Sequence, residues 1–274
     1  MRSYGILIIL VLLITGCFNT QSGEEKFSIT IDKNKDVINV HGSVENLDKL
    51  DTFINDKKGS QRVVYYTFEG DPIFNDLTYT DSGIEMRYDN SEDHFGSPQI
   101  IKYACKDILR NETDKLLSYT LIGCEGEQSE RGLLWLSFDL EQVDKFEFAL
   151  KYGVNQKNEI NTIQKKLIKD LQNGEVAEVS DFELTAQERG QIYKKMVLAN
   201  YLNEKELSTE CNVKPVVTYD LTVLINNGER HYQWTECNNT KDDKQMTELA
   251  QAIIKIVQAG SIYKQLPEVK GHYE

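Results

Sequence analysis

The spacing of hydrophobic and polar positions changes along the chain, and each spacing predicts a type of element. Apolar residues at helical spacing over residues 47–54 predict a helix of about three turns, with Asn46 as its N-cap and Gly59 after its end. Segments rich in alternating, β-branched and aromatic residues then predict mostly antiparallel strands. These strands are expected at residues 62–68, 73–79, 84–88, 100–105, 116–122 and 133–138.

The second half has a different pattern. Helical spacing predicts one helix over residues 160–171, a second that starts with the capping box Thr185–Glu188 and runs to about residue 207, and a third over residues 246–257 that ends at Gly260. Between the last two, strands at residues 216–225 and 229–235 flank a hairpin turn, Asn226-Asn227-Gly228. Helices around one hairpin again indicate an α+β arrangement.

The N-terminus has the pattern of an export signal. Arg2 is followed by an unbroken apolar run over residues 6–13 and then by Gly16-Cys17. The run is shorter than the ~20 residues that a spanning helix needs, and small residues before a cysteine are typical of a bacterial lipoprotein signal. We expect residues 1–16 to be cleaved and Cys17 to carry diacylglycerol and palmitate. An uncleaved anchor and a cytoplasmic apolar helix are the alternatives.

These segments together predict an α+β protein of two small domains, each a mostly antiparallel sheet or hairpin packed with helices, after a lipoprotein signal peptide. The polar stretch at residues 152–158 is the expected boundary. The predicted organisation is a signal peptide at residues 1–16, a lipidated cysteine and tether at 17–35, and domains at 36–152 and 153–274. The lipid would hold both domains at the outer face of the cell membrane of a Gram-positive-type envelope.

Composition and charge narrow the choice of partner. The chain has 274 residues, is 40% hydrophobic and contains only 4 Pro and 17 Gly, which excludes collagen-like, low-complexity and wholly disordered chains. Its formal net charge is −13. Phosphate backbones bind basic surfaces, so no nucleic-acid partner is expected. The membrane, through the lipid, and an unknown envelope protein or small ligand are the expected partners.

Four cysteines remain after Cys17, and none forms a C-x-x-C motif. Three pairings are open to them. Two local pairs, Cys105–Cys124 and Cys211–Cys237, would place one disulfide in each half, and each would contribute about 3 kcal/mol in the chain-entropy model. The alternative is four buried free thiols that act as small hydrophobic side chains.

Motifs for catalysis or metal binding are missing from the sequence. The four histidines show no paired metal spacing, and no serine-hydrolase elbow, P-loop or dinucleotide fingerprint occurs. Residues 89–100 open like a calcium loop, but His94 and Ile100 stand where Gly and Glu are needed. Asp220 and Glu236 could form an acid/base pair only if folding brought them together. No catalytic residue, metal or cofactor is therefore predicted.

Three residues are candidate ligand contacts. Glu69 and Asp71 belong to the turn motif Glu69-Gly70-Asp71-Pro72. Two carboxylates on a rigid turn could bind a cation, or they could simply keep the tip of a hairpin hydrated. Trp234 lies in an alternating segment and could stack on a sugar or peptide, although an aromatic residue in a strand is more often part of the core.

Residues 36 to about 139 resemble a family of small secreted bacterial domains, domain-of-unknown-function family 4362, as seen in Bacillus-type lipoproteins. The motifs that carry the similarity are Val37-Ile38-Asn39-Val40-His41-Gly42, Glu45-Asn46-Leu47, Tyr66-Thr67-Phe68-Glu69-Gly70-Asp71-Pro72-Ile73-Phe74, Tyr88-Asp89-Asn90, Cys105 and Leu121-Ile122-Gly123-Cys124. The resemblance implies an exported location and this architecture. It implies no activity.

The sequence thus predicts a lipid-anchored extracytoplasmic protein that acts as a binding or interaction module at the bacterial cell envelope, and it does not predict an enzyme. Two alternatives stay open. One is a cell-wall-directed hydrolase or inhibitor with an unrecognised site. The other is a structural lipoprotein associated with stress or spores.

Overall fold

The structure is a computed structural model, and it describes residues 29–273. Residues 32–274 form one compact unit. The predicted signal peptide, Cys17 and most of the predicted tether lie outside the described residues. Among the residues that are described, no helix is both long enough and apolar enough to cross a membrane.

The first half contains a six-stranded sheet. Its elements are β1 (Val37–Val40), β2 (Ser43–Glu45), α1 (Leu47–Asp56), β3 (Ser60–Tyr66), β4 (Pro72–Thr80), β5 (Gly83–Asp89) and β6 (Ile100–Cys105). The strand order is β2-β1-β3-β4-β5-β6. β1 pairs with β3 in parallel, and the other neighbours are antiparallel. The sequence predicted α1 and the β3–β6 meander, and it did not predict β1 or β2.

A second layer packs on one face of this sheet, which we call the inner face. It consists of α1 and a three-stranded antiparallel sheet formed by β7 (Asp107–Glu112), β8 (Leu116–Ile122) and β9 (Glu130–Ser137). Both layers contribute to one apolar core, whose fully or nearly fully buried members include Leu50, Val63, Leu77, Ile84, Leu117, Tyr119, Leu121 and Leu134. This face of a six-stranded sheet is therefore covered by one helix and three strands.

The second half contains another six-stranded sheet, which is antiparallel throughout. Its elements are β10 (Phe146–Val154), β11 (Asn158–Asn161), β12 (Lys166–Asp170), β13 (Val176–Ser180), α2 (Ala186–Leu198), β14 (Val217–Ile225), β15 (Gly228–Thr235), α3 (Lys241–Ala259) and α4 (Ser261–Lys264). The order is β13-β12-β11-β10-β14-β15. α2 and α3 pack with this sheet around a second core, which includes Phe148, Leu150, Ile192, Met196, Leu221, Trp234, Met246 and Ile253.

Helix ends follow the expected chemistry in the second half but not in the first. Thr185 caps α2 through a capping box with Glu188, as predicted, and Thr240 with Asp243 does the same for α3. Asn46 does not cap α1, because its side-chain amide instead donates hydrogen bonds to the backbone oxygens of Lys33 and Asp36. The position of that helix start was predicted, and its stabilisation was not.

The helix predicted over residues 160–171 is wrong, because β11 and β12 form a hairpin there. Ile160 and Leu167 are paired across the two strands and fully buried, so two strand residues that face one core mimicked a helical stripe. Ile163 is exposed in the turn, and Lys165 adopts a left-handed backbone conformation that interrupts any helix. α2 also ends at Leu198 rather than near residue 207.

The two halves are connected by more than the chain. Residues 152–158, where we expected a boundary, are the end of β10, its turn and the start of β11, while the change from one core to the other lies between Phe138 and Phe146. Beyond α2, the Asn200 side chain accepts a hydrogen bond from the backbone N–H of Val44 at 3.0 Å and donates one to the Val44 oxygen. The independent folding of the halves stays a prediction.

Both predicted disulfides are present. Cys105–Cys124 joins the end of β6 to the residues after β8, and so links the first sheet to its covering layer. Cys211–Cys237 joins the connection between α2 and β14 to the turn between β15 and α3. The local pairing therefore prevails over the free-thiol alternative.

Candidate functional site

The covering layer stops at β9, and the inner face beyond it lines an open groove of about 540 Å³. We call it the β9 groove. It is lined by Tyr65, Ile73, Asn75, Met86, Tyr88, Gln99, Ile101, Tyr103, Arg131, Gly132, Leu133 and Trp135.

The floor of the groove follows from strand register. Directly opposed residues in antiparallel strands point to the same face. Tyr65 pairs with Ile73, Tyr88 pairs with Asn75 and Ile101, and Tyr103 pairs with Met86. These residues continue the row of Val63, Leu77 and Ile84, which are fully buried under the covering layer. The floor is thus the uncovered end of an apolar sheet face.

One wall of the groove is formed by β9, which contains a β-bulge. Gly132 pairs with Thr120 and Leu134 pairs with Tyr119, so Leu133 is the extra residue. A bulge reverses the alternation of faces, and Arg131 therefore points to the same face as Leu134, with its pairing partner Leu121 buried beneath the layer. Without the extra residue, Arg131 and Leu134 would lie on opposite faces of the sheet.

Arg131 lies across the floor. Its guanidinium carbon is 3.6 Å from the ring centroid of Tyr103, a close cation–π contact. Its Nε is buried and has no hydrogen-bond partner within residues 29–273, and no carboxylate in that range forms an ion pair with it. A buried donor without an acceptor costs about 1–3 kcal/mol, and a ligand oxygen would relieve that cost.

The opposite face of the same sheet shows the usual arrangement for arginine. There Arg62 and Arg87 both reach Asp76, at 2.6 and 3.5 Å, and Arg87 also reaches Asp89 at 2.6 Å. Burial alone would raise the pKa of Asp89, but hydrogen bonds from Ser91 and Arg87 hold it below its ordinary value. This network is satisfied by the protein's own carboxylates, whereas Arg131 has no carboxylate partner among the described residues.

The groove is also cationic in an acidic protein. Among residues 29–273, Arg131 is the one charged residue that lines the groove, and no Asp, Glu or His of that range lines it, although the chain has 44 acidic side chains against 31 basic ones. Burial raises the pKa of Tyr65 and of Tyr88, so both phenols stay protonated as hydrogen-bond donors. A carboxylate or phosphate oxygen fits this lining, and a cation does not.

Exposed aromatic residues surround the open end of the groove. Trp135 is 62% exposed at the mouth. The turns that follow β1, β3 and β5 lie at the same end of the sheet, and they carry the stacked pair His41 and Phe68 together with exposed Phe95. Exposed aromatic groups are enriched at interaction sites rather than on inert surfaces.

Glu69 and Asp71 lie on the turn between β3 and β4, at the open end of the sheet but outside the groove lining. The Asp71 carboxylate accepts a hydrogen bond from the backbone N–H of His94 at 2.9 Å and lies 3.2 Å from His94 Nδ1. These contacts lower the pKa of Asp71. Asp71 thus fastens the β5–β6 loop, while Glu69 is exposed.

Trp234 is not available to a ligand, which corrects its assignment as a candidate contact. It is 1% exposed, stacks on Tyr219 with ring centroids 5.0 Å apart, and donates its indole N–H to Thr247 at 3.0 Å. These contacts place it in the second core. The structure brings Trp234 together with neither Glu69 nor Asp71.

The candidate acidic sites are occupied by other contacts. Asp220 accepts a hydrogen bond from Gln233 at 2.7 Å and lies 3.0 Å from His231 Nε2. In the loop at residues 89–99, Asp93 accepts hydrogen bonds from the backbone N–H groups of Phe95 and Gly96. No group of three or more potential metal ligands is found within the described residues.

Sequence reasoning missed Arg131, Trp135 and the tyrosines of the floor. Residues 133–138 form an almost continuous apolar run, which does not show which side chain faces outward. The signal that could have revealed the groove is Arg131-Gly132 at the start of a predicted strand, since a glycine there suggests a bulge.

A comparison with protein families finds one match, to the family described as domain of unknown function (DUF4362), over residues 34–120. No curated protein and no solved structure matches the chain. The matched segment includes the floor of the groove. It ends before the motif at residues 121–124 and before β9, which supplies Arg131 and Trp135. Residues 34–120 therefore form a DUF4362 domain, which confirms the family that the sequence motifs indicated, over a shorter range than the expected residues 36 to about 139.

Proposed function

We propose that this chain is a lipid-anchored binding module at the outer face of a bacterial cell membrane, and that it binds its ligand in the β9 groove. Cys17 would carry the lipid, and the unit at residues 32–274 would project from the membrane. The proposal makes the protein a receptor or adaptor of the envelope rather than an enzyme.

One observation carries the binding part of the proposal. Arg131 holds a buried, unsatisfied donor in an open aromatic groove that no acidic side chain lines. Buried polar groups are normally satisfied, and exceptions at a concave surface point to a partner that completes them. The lining offers no carboxylate or histidine for acid/base work, so the groove is suited to binding and not to hydrolysis.

The location rests on the leader and on the disulfides. Two disulfides in one chain are typical of proteins that mature outside the cytoplasm. The apolar run before Gly16-Cys17 supplies the export and lipidation signal. The Cys17→Ala variant should remain as unprocessed precursor or leave the membrane fraction. Normal processing and unchanged membrane association would contradict the anchor.

A photo-crosslinking amino acid at position 135 tests the binding proposal in living cells. Trp135 lies at the groove mouth, and Leu109, 53% exposed on β7 and outside the groove lining, is the matched control position. We expect a defined adduct from position 135 that disappears when Arg131→Gln is added, and no such adduct from position 109. Equal adducts from both positions, or an adduct that is indifferent to Arg131→Gln, would remove the groove from the proposal.

A further inference from the structure

The covering layer of the first sheet ends in an unpaired strand. β9 is the last strand of the three-stranded sheet, and within the described residues its backbone pairs only with β8. The open edge of β9 borders the groove, whose floor is the inner face of the larger sheet. An unpaired edge is a template for one more strand.

Within residues 29–273, no side chain crowds β9 at the bulge. A Cβ built at Gly132 meets no heavy atom within 4 Å. Gly132 pairs with Thr120 and Arg131 pairs with Leu121, so the open space over Gly132 lies on the face of β9 away from Arg131. An added strand would therefore meet Arg131 on one face of β9 and open space on the other.

Building on the proposed function, we propose that the ligand of the β9 groove is an extended peptide segment of a partner protein with one acidic side chain. The peptide pairs with β9 as a fourth strand of the covering layer. Its acidic side chain meets Arg131, and alternate apolar side chains rest on the aromatic floor beside Tyr103 and Tyr88.

Three features favour a peptide over a saccharide or free phosphate. The β9 edge offers backbone donors and acceptors in the spacing of a strand, which only another backbone matches along its length. The floor is a half-buried continuation of a sheet core, whose natural complement is a second sheet layer. The lining pairs one arginine with several apolar and aromatic side chains, which matches an alternating apolar and acidic strand.

The test uses the full-length chain and a displayed library of random peptides of about ten residues, the length that one strand pairing requires. Recovered peptides should alternate apolar and polar residues and contain Asp or Glu. Arg131→Gln should weaken the best of them at least about tenfold, the cost expected for a charge-assisted hydrogen bond. A peptide with Gln in place of its acidic residue should bind wild type and Arg131→Gln equally.

A control variant and modified peptides test the geometry. Arg230→Gln on β15, whose arginine contacts the backbone oxygen of Leu202 and lies outside the groove, should bind as wild type. N-methylation of one alternate set of peptide nitrogens should abolish binding, while the other set is tolerated.

Distinct outcomes separate this inference from the proposed function. If glucuronate or inorganic phosphate shifts the Arg131 Nε–H resonance and no peptide binds, the groove remains a binding site and the peptide inference is wrong. If peptides bind but ignore Arg131→Gln or the pattern of N-methylation, strand addition to β9 is wrong. If no probe binds and no groove resonance moves, both proposals fail.

Discussion

The two tryptophans of this protein both lie on β-strands, but one is buried and the other is exposed. Trp234 on β15 is covered by α3 and buried, whereas Trp135 on β9 is 62% exposed at the mouth of a groove. The difference comes from the face of the strand on which each ring lies. Trp234 points into the second core, whereas Trp135 pairs with Ser118 between the buried residues Leu134 and Leu136, so it points away from the first core. The same aromatic side chain becomes core on a covered face and a contact surface on an open one.

Substitution of the two tryptophans should separate these roles most strongly. We expect Trp234→Ala to lower the free energy of unfolding by about 3–5 kcal/mol, because it leaves a cavity and orphans Thr247. Trp135→Ala should change it by no more than about 0.5 kcal/mol, since an exposed ring has little packing to lose. Urea denaturation of both variants measures this, and similar losses would contradict the contrast.

Removal of one disulfide at a time sharpens the comparison between the halves. Each bond closes a loop of comparable length, with separations of 19 and 26 residues, so each double Cys→Ser variant should lose about 3 kcal/mol. Only loss of Cys105–Cys124, which links the first sheet to its covering layer, should also broaden the NMR resonances of groove residues. Equal broadening after loss of Cys211–Cys237 would show that the effect on the groove is not specific to the Cys105–Cys124 crosslink.

Helix capping distinguishes the halves on a smaller scale. Thr240→Ala breaks the capping box of α3 and should cost about 1 kcal/mol. Asn46→Ala should act differently, because Asn46 ties together the backbone at Lys33 and Asp36 rather than capping α1. Amide hydrogen exchange provides the measurement. Faster exchange confined to the first turn of α1 in Asn46→Ala would argue that Asn46 caps that helix after all.

The smallest expected effect is a pH dependence of the stability of the first sheet. The pKa of Asp89 is lower in the folded protein than its ordinary value of 3.8, so this group stabilises the fold above that value, and the contribution is lost as the pH falls through the folded pKa. Asp89→Asn should therefore lose stability near neutral pH and show a shallower decline below pH 3.8. Parallel pH profiles for the variant and wild type would exclude this contribution.

Local chemistry made much of the fold predictable. Residues that are close in sequence specify four of its features: the meander β3–β6, the hairpin β14–β15, the capping box at Thr185 and the apolar face of α3. Long-range pairing was not: β1 and β2 are short, and β11 and β12 bury Ile160 and Leu167 at a spacing that a helix also uses. The groove was harder still, because it exists only where two layers differ in extent and where one bulge turns Arg131 inward.

The candidate contact Trp234 was wrong for a related physical reason, while Glu69 and Asp71 as ligand contacts stay predictions. Trp234 stands in an alternating strand segment and Trp135 in an almost continuous apolar one, and neither pattern shows which ring another layer of the fold will cover. Asp71 was recognised as part of a rigid turn, but its partner His94 is 23 residues away and belongs to another loop. Sequence patterns describe a residue's neighbours along the chain, whereas binding depends on what the rest of the fold leaves uncovered.

The Asn200 side chain has a consequence for any attempt to separate the two halves. Its amide takes the place that a peptide group of a neighbouring strand would occupy beside Val44. The edge strand β2 of the first sheet is therefore hydrogen-bonded by a side chain that follows α2. Scission of the β10–β11 turn by a protease would sever the chain but leave intact both this contact and the pairing of β10 with β11 and β14. We expect the nicked protein to migrate as a single particle in gel filtration and to come apart only in denaturant.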